Sequence, residues 1–237
     1  MILLALESSA ELSSVAVWKD GNVLAHQIVE SKFGHAERII IQVEEAIKQA
    51  KIDLSEIDFF VGGRGPGSFT GIRTCLAAIT GFSIASKKPF YGINGLSALG
   101  FAYYVRHKKK SNHQEKMRIF AILDTRRRTF YFQEFTKDYI SSEIIHDFSL
   151  EKLKNKVSLL AKSGYSVNIC GPFSKSFWQK NVNIPAQFKV KYDCVNLDAT
   201  HIANYAAWQI ENERKVSPAT PLYVTPATIF KSNSKNS

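Results

Sequence analysis

The fold of this chain is decided by the stretch Gly65-Pro66-Gly67-Ser68-Phe69-Thr70-Gly71-Ile72-Arg73, which follows a strand-like run (57–62) and opens an apolar helix (74–86). A strand, a glycine-rich turn and a helix N-terminus commonly form a cradle for an anion, because free backbone N–H groups and the positive end of the helix dipole point at one spot. The alternative is a tight turn that needs glycine for a positive φ and proline for a fixed φ. The residues alone leave both interpretations open.

The same stretch matches neither standard nucleotide fingerprint. A P-loop has the pattern G-x-x-x-x-G-K-[ST]. Here Gly62 and Gly67 have the spacing of the two glycines, but Ser68 stands where the pattern needs a lysine that could reach a phosphate. A dinucleotide fingerprint has the pattern G-x-G-x-x-G, and here Thr70 stands at the third glycine position. The loop therefore does not predict nucleotide binding of either class.

Hydrophobic periodicity predicts the order of helices and strands. The first hundred residues read as three strands, a helix, a strand, a helix, a strand and a helix, with Asp20-Gly21 as a hairpin turn. The helix over 74–86 is apolar on almost every side, so we expect it to be buried by the chain's own core or by another protein. Beyond Lys116 the pattern predicts two paired strands (118–123 and 129–135), a helix over 150–162, a strand over 167–170, and a helix over 198–212 capped by Asp198.

The charged, aperiodic stretch 106–115 predicts a surface linker between two strand-bearing units. We therefore expect an N-terminal domain over 1–105 and a C-terminal domain over 106–237. Three strands, a crossover helix and a further strand–helix unit, followed by an irregular second half, indicate an α/β fold. The class they suggest is the duplicated ribonuclease-H-like fold of actin, Hsp70 and sugar kinases (ASKHA).

Composition is ordinary for a globular protein with a buried core. The chain has 237 residues, of which 45% are hydrophobic and 22% charged. We expect no apolar stretch long enough to span a bilayer, and the N-terminus lacks the basic region of a signal peptide. Cys75, Cys170 and Cys194 form no CxxC pattern, so we expect buried thiols in a reducing compartment, the cytoplasm.

The formal net charge of the chain is +10, and two basic clusters contribute to it. One cluster lies over 106–118 and includes Lys108, and the other is the run Arg126-Arg127-Arg128. Basic charge of this kind favours an anionic partner such as tRNA, although a solvated lysine-rich loop explains it equally well. No aromatic-interleaved RNA module such as an RRM is present.

Several motifs resemble, in order and spacing, those of the TsaB (YeaZ) proteins, which help to make threonylcarbamoyladenosine on tRNA. The stretch 65–73 is similar to the family signature, and residues 2–9 look like its opening strand and turn; further similar segments are 35–38, 94–99, 123–127 and 221–223. The resemblance is strong over residues 1–100 and thin beyond residue 135. It implies the same two-lobed fold, with the second lobe reduced. The chain departs from the family pattern at Glu7, where Asp is usual, at Ser8, where Thr is common, and at Thr225, where a basic residue is typical.

The resemblance implies a non-catalytic subunit that binds the catalytic paralogue TsaD and sustains its threonylcarbamoyl transfer to the adenosine next to the anticodon. It further implies the ATPase subunit TsaE as a second partner, indirect contact with tRNA, and self-association when TsaD is absent. In the family, the first two helices of each partner form a helical bundle. The residues expected at this contact are His35, Arg38, Ile41, Ile72, Ala77, Ile79, Gly81, Phe82 and Ala85.

Within that set, Ala77, Gly81 and Ala85 form a row without bulk, spaced four residues apart. Such a row lets a foreign helix approach closely. The alternative is that the row packs against the chain's own strands.

The residues needed for catalysis by this fold are largely missing. TsaD carries a metal-binding H-x-x-x-H, but here His35 is followed four residues on by Ile39, and one histidine cannot make that site. Glu7 and Ser8 are candidates for a residual nucleotide or metal contact, and Asp124 is a candidate second carboxylate, although its arginine neighbours favour a salt-bridged structural role. The remaining candidates are the loop residues Gly65, Gly67, Ser68, Thr70, Gly71 and Arg73. We therefore expect no catalytic residue, no metal and no cofactor.

Three rival functions stay open on the sequence. An active ATPase or small-molecule kinase of the same fold would show magnesium-dependent turnover by the chain alone. A metallopeptidase would hold a transition metal tightly. A direct tRNA-binding module would use the basic cluster near Lys108.

Overall fold

The computed structural model describes residues 1–30, 35–108, 116–173, 175–182, 185 and 187–224, which contain two five-stranded sheets. The elements of the first half are β1 (Ile2–Glu7), β2 (Leu12–Lys19), β3 (Asn22–Glu30), α1 (His35–Ala50), β4 (Phe59–Gly63), α2 (Phe69–Ser86), β5 (Phe90–Ile93) and α3 (Gly95–Lys108). Those of the second half are β6 (Met117–Asp124), β7 (Thr129–Thr136), β8 (Ile145–Ser149), α4 (Leu150–Lys162), β9 (Ser166–Gly171), α5 (Lys175–Val182), β10 (Val190–Cys194) and α6 (Ala199–Glu211).

Both sheets have the same topology. The first has the strand order β3-β2-β1-β4-β5, and the second has the equivalent order β8-β7-β6-β9-β10. In each, three strands form an antiparallel meander, and two more strands add in parallel beside the first. This repetition confirms the predicted ribonuclease-H-like lobes of the ASKHA class. The second lobe is the reduced one, since α5 has 8 residues where α2 has 18.

Three apolar cores arrange these elements in layers. One core lies between the first sheet and α1 with α2, and another lies between the second sheet and α4 with α5. The third lies between the two sheets and contains α3 and α6. Helix α3 packs against β6, and α6 packs against β1 and β2, so each half of the chain contributes a helix to the other half's sheet. The indole nitrogen of Trp18 donates to Asn204 Oδ1 at 3.0 Å across this layer.

The strands that lie at the centre of each sheet read as continuous apolar runs because both of their faces are covered. All six residues of β1 are buried, and so are six of the eight residues of β6. The predicted elements over 118–123, 129–135, 150–162 and 167–170 are confirmed. Asp198 caps α6 as predicted, since its carboxylate accepts the backbone N–H groups of Thr200 and His201.

The structure describes only part of the predicted linker 106–115. Helix α3 extends to Lys108, so residues 106–108 are helical, and 109–115 lie outside the described residues. The domain boundary at 105/106 stays a prediction.

Cys75 and Cys170 are buried, and burial raises the pKa of both thiols. The expectation of burial is wrong for Cys194, which is exposed because it ends the edge strand β10.

Helix α2 is an exception to the expectation that no apolar stretch has bilayer-spanning length. By length and composition alone its 18 residues could cross a membrane, and 33% of them are buried within the protein. It is therefore not buried all round by the chain's own core. Its buried residues pack on β4, β1 and α1, and its other side faces outward.

Candidate functional site

The glycine-rich loop joins β4 to α2 and wraps tightly around the turn between β1 and β2. The Ser68 N–H donates to the Ser9 carbonyl at 2.7 Å, and the Ser8 hydroxyl donates to the Gly71 carbonyl at 2.9 Å. A Cβ at Gly67 would lie 2.2 Å from the Ser9 carbonyl oxygen, and one at Gly71 would lie 1.9 Å from the Ser8 carbonyl oxygen. Glycine is therefore needed here so that two backbone segments can touch.

Three backbone N–H groups of the stretch 65–73, those of Ser68, Gly71 and Ile72, are hydrogen-bonded within the chain. Ser68 caps α2, because its hydroxyl accepts the Gly71 N–H at 3.3 Å and its carbonyl accepts the Ile72 N–H at 2.9 Å. Gly65 has a φ of +101°, which a residue with a side chain rarely adopts, and its carbonyl accepts the Gly95 N–H at 2.9 Å. Thr70 is exposed on the first turn. The tight-turn interpretation accounts for this geometry better than an anion cradle does.

Glu7 lies directly beneath the loop and is fully buried. Its Oε1 accepts the N–H and the hydroxyl of Ser9, each at 2.5 Å, and a Cβ at Gly63 would lie 1.7 Å from its Oε2. Burial raises the pKa of this carboxyl, against the lowering effect of the Ser9 hydrogen bonds. Within the described part of the chain Oε2 has no hydrogen-bond partner. Glu7 therefore holds the β1–β2 turn and, with Ser8, fixes the loop.

A cleft of about 140 Å³ lies between the two lobes, and the predicted elements converge on it. Its walls include Gly67 and Ser68 from the loop, Asp124 from β6, and Pro172 from the turn after β9. Cavities that hold drug-sized molecules usually measure roughly 300–1,000 Å³. In this structure the cleft is therefore too small to enclose a nucleotide.

Asp124 has a structural role, but the predicted salt bridge is wrong. Its carboxylate is exposed and accepts the backbone N–H of Arg126 at 2.7 Å, while the hydroxyl of Thr125 accepts the Arg127 N–H at 3.2 Å. These bonds close the β6–β7 turn, in which Arg126 and Arg128 have φ values of 60° and 63°. The arginines are thus neighbours of Asp124 in the sequence, but the carboxylate accepts its hydrogen bond from a backbone N–H and not from a guanidinium group.

The described residues contain no group of three or more His, Cys, Asp and Glu side chains that could hold a metal ion. Ile39, at the position where TsaD has its second histidine, is buried in the outer core of the first lobe. His35 begins α1, and its side chain lies outside the described residues.

The residues expected at a partner contact differ in exposure and fall into three groups. Arg38 and Ile41 on α1 are exposed, as are Ala77, Gly81 and Ala85 on α2. Ile72 and Ile79 are fully buried in the chain's own core, so they have no surface to offer a partner. Phe82 is half-buried and stacks on Phe60, with ring centroids 6.1 Å apart. The sequence placed Ile72 and Ile79 on the wrong side of the helix.

The exposed side of α2 forms one continuous stripe with a period of four residues. The stripe contains Phe69, Arg73, Ala77, Gly81 and Ala85, with Ile84 beside it at 71% exposure. We call these six residues, together with Arg38 and Ile41 of α1, the α1–α2 face. An added Cβ at Gly81 would meet no atom within 4 Å, so the middle of the stripe is open.

A segment from near the other end of the chain completes the start of this stripe. The Arg73 guanidinium lies 3.9 Å from the centre of the Phe69 ring, and its Nε donates to the Tyr223 hydroxyl at 3.0 Å. The rings of Phe69 and Tyr223 stack at 5.3 Å. The Leu222 N–H donates to the Arg64 carbonyl at 2.8 Å, which fixes the segment on the loop. Sequence reasoning missed Phe69, Ile84 and Tyr223 as surface residues, although the four-residue spacing of Phe69 and Arg73 extends the predicted row.

Comparison with known proteins gives the family. The model of the family described as TsaD, tRNA N6-adenosine threonylcarbamoyltransferase, matches residues 22–207. The tRNA threonylcarbamoyladenosine biosynthesis protein TsaB of Escherichia coli (strain K12) is 29% identical over 138 residues, which cover 58% of this chain and 56% of that protein. The chain therefore spans little more than half the length of this relative. The tRNA N6-adenosine threonylcarbamoyltransferase of Kosmotoga olearia is 32% identical over 111 residues, which cover 40% of this chain and 34% of that protein.

A solved structure has the same fold. YeaZ from Pseudomonas aeruginosa is similar with a TM-score of 0.68 and 21% identity, over 94% of this chain and 100% of that chain. The chain belongs to the family described as TsaD, tRNA N6-adenosine threonylcarbamoyltransferase, and within it to the TsaB (YeaZ) group.

Proposed function

We propose that this chain is a non-catalytic subunit of the machinery that forms threonylcarbamoyladenosine on tRNA. In this role it binds a catalytic subunit of the TsaD type through the α1–α2 face and supports the transfer of the threonylcarbamoyl group. The names of the TsaB relatives support the biosynthetic role, since they are described as tRNA threonylcarbamoyladenosine biosynthesis proteins.

The observation that carries the proposal is the open stripe on α2. Helix α2 has the composition of a buried helix, yet Ala77, Gly81 and Ala85 are exposed together, and the space above Gly81 is free. Ile84 at 71% exposure and Ile41 at 54% add apolar surface on either side of the row. A row of small residues flanked by aliphatic ones permits close approach of a partner helix and supplies area to bury.

Three features of the described residues support a non-catalytic role. Glu7 is buried beneath the loop, the loop glycines Gly67 and Gly71 lie against the backbone of the β1–β2 turn, and the inter-lobe cleft measures about 140 Å³. None of these favours the rival ATPase, and the lack of a metal-ligand group in the described part of the chain does not favour the metallopeptidase.

The remaining partners follow from the same proposal. The ATPase subunit TsaE joins the complex, the reacting adenosine of tRNA is reached indirectly, through TsaD, and the chain pairs with a second copy through the α1–α2 face when TsaD is absent. The complex works in the cytoplasm, where tRNA is modified, and this chain needs no cofactor of its own and no membrane.

Size-exclusion chromatography of the purified chain mixed with TsaD from the same organism tests the proposal. The two proteins should elute together, and Ile41→Asp, which puts a charge on an exposed position of the α1–α2 face, should separate them. Lys154→Asp on the exposed side of α4 is the matched control and should leave the complex intact. Separate elution of the wild-type chain and TsaD at micromolar concentration would refute the proposal.

A further inference from the structure

A groove of about 650 Å³ lies on the second lobe, and none of its lining residues belongs to the α1–α2 face. It runs between the C-terminal half of α3 and β10, the edge strand of the second sheet, and α5 borders its other side. We call it the α3–β10 groove. Its lining combines aromatic and basic side chains, namely Tyr103, His107, Phe188, Tyr192, Lys175 and Lys191.

The floor of the groove is a rigid aromatic pair. The imidazole of His107 stacks on the Tyr103 ring, with centroids 4.1 Å apart and planes 15° from parallel. Tyr103 is 3% exposed, and its hydroxyl donates to Asn168 Oδ1 at 2.6 Å, so the lower ring is fixed. His107 Nδ1 lies 2.9 Å from the Tyr103 carbonyl oxygen, and it must carry the hydrogen because a carbonyl only accepts. These contacts hold the half-buried imidazole as a flat platform beside the groove.

Two lysines at the edge of the groove carry positive charge that no ion pair among the described residues neutralises. Lys175 and Lys191 are exposed, and neither forms an ion pair among the residues that the structure describes. The nearby carboxylate of Asp193 is already paired with Arg106 Nη1 at 3.2 Å. Two free ammonium groups beside an aromatic platform match a ligand that alternates negative charges with flat rings, and nucleic acid has this composition.

The size of the groove agrees with that ligand. A volume of about 650 Å³ lies inside the usual range for sites that take drug-sized molecules, roughly 300–1,000 Å³. It therefore has room for one or two nucleotides.

We propose that the α3–β10 groove binds single-stranded RNA. An unpaired base stacks on the imidazole of His107, and the flanking phosphates pair with Lys175 and Lys191. The site shares no residue with the α1–α2 face, so it can fail while binding to TsaD stands, and the reverse also holds. An acidic, aromatic peptide is the competing ligand class.

Fluorescence anisotropy with the full chain tests the charges. The probes are a labelled oligouridine and bulk tRNA, at about 50 and about 200 mM KCl. Lys175→Gln with Lys191→Gln should weaken oligouridine binding roughly 10- to 100-fold at the lower salt and reduce the slope of log affinity against log salt by about 1.4, the contribution of two phosphates. Lys48→Gln with Lys51→Gln removes the same charge from exposed positions at the end of α1 and should change affinity less than about 2-fold.

Substitution of the platform tests the stacking. His107→Ala should cost about 5-fold or more in affinity, and His107→Phe, which keeps a flat ring, should restore most of it. Absence of RNA binding by the wild-type chain would overturn the inference, as would equal losses in the two lysine pairs or full binding by His107→Ala. A chain that binds TsaD but not RNA would overturn this inference alone. Capture of an acidic peptide in place of RNA would reassign the groove to the competing class.

Discussion

The substitution Gly81→Leu separates an interface from a core helix. Gly81 lies within α2, is exposed, and has no atom within 4 Å of the position that a Cβ would occupy. A leucine there enters open space, so it costs no packing in the free chain. Glycine is less favourable than alanine in a helix interior by about 0.8–1 kcal/mol, and leucine ranks close to alanine, so the melting temperature should stay constant or rise.

In a complex with TsaD the same leucine should obstruct the approaching helix. Inserting a bulky side chain into a packed contact costs about 1–3 kcal/mol, which corresponds to a loss of affinity of about 5- to 150-fold. The assay is isothermal titration of TsaD with the variant, alongside thermal unfolding of the variant alone. Gly81→Ala should keep affinity within a few-fold, and Lys154→Leu on α4 controls for the presence of an extra exposed leucine.

Two results would refute this reasoning. A lowered melting temperature with unchanged affinity would mean that the row packs inside the chain. Unchanged melting and unchanged affinity together would mean that α2 meets no partner through this stripe.

Three further predictions concern the carboxyl groups of Glu7 and Asp198 and the linker. Burial raises the pKa of Glu7 above its ordinary 4.5, so the contribution of Glu7 to stability is greatest below that value and is lost as pH rises through the raised pKa. The variant Glu7→Gln cannot ionise, so its melting temperature relative to wild type should rise between about pH 5 and about pH 8. A difference in melting temperature that stays constant with pH would contradict this. Burial acts to raise the pKa of Asp198, but the hydrogen bond and charge of His201 and the hydrogen bond of Thr200 lower it far below its ordinary 3.8. The stabilising effect of Asp198 is thus present above pH 3.8 and is lost as pH falls towards the lowered pKa. Asp198→Ala should lower the free energy of unfolding in urea by about 0.5–2 kcal/mol at neutral pH and by less in acid. An equal loss at both pH values would count against the role of Asp198 as a helix cap. Limited trypsin digestion should cut first within 106–115, and first cleavage after Arg73 or Lys87, the trypsin sites nearest to 74–86, would show that α2 is unstable in the free chain.

The elements of the first lobe could be predicted largely from the sequence because its central strands and its hairpin have strong local signals. The apolar run of β1, the Asp20-Gly21 turn and the single stripe of α1 each follow from one physical rule. The second lobe was harder. Helix α5 has 8 residues and packs through aromatic rings such as Trp178, and β10 is a half-exposed edge strand, so neither gives a clear period.

The site could be predicted only in part, because pattern gives the helix but not its orientation. Helix α2 has apolar residues on every side, so nothing in its sequence distinguishes Ile79, which is buried, from Ile84, which is exposed. Three-dimensional contact also decided the role of the loop. The glycines that resemble a cradle for a ligand instead admit the backbone of Ser8 and Ser9.

Threonylcarbamoyl transfer to tRNA by purified TsaD, measured with and without this chain, tests the central claim most directly. We expect no transfer by this chain alone, and transfer by TsaD that increases when the chain is added. Glu7→Gln should support TsaD as well as wild type does, whereas Gly81→Leu should not. Transfer by the chain alone, or activity of TsaD that is unaffected by the chain, would mean that the chain is not a non-catalytic subunit supporting TsaD.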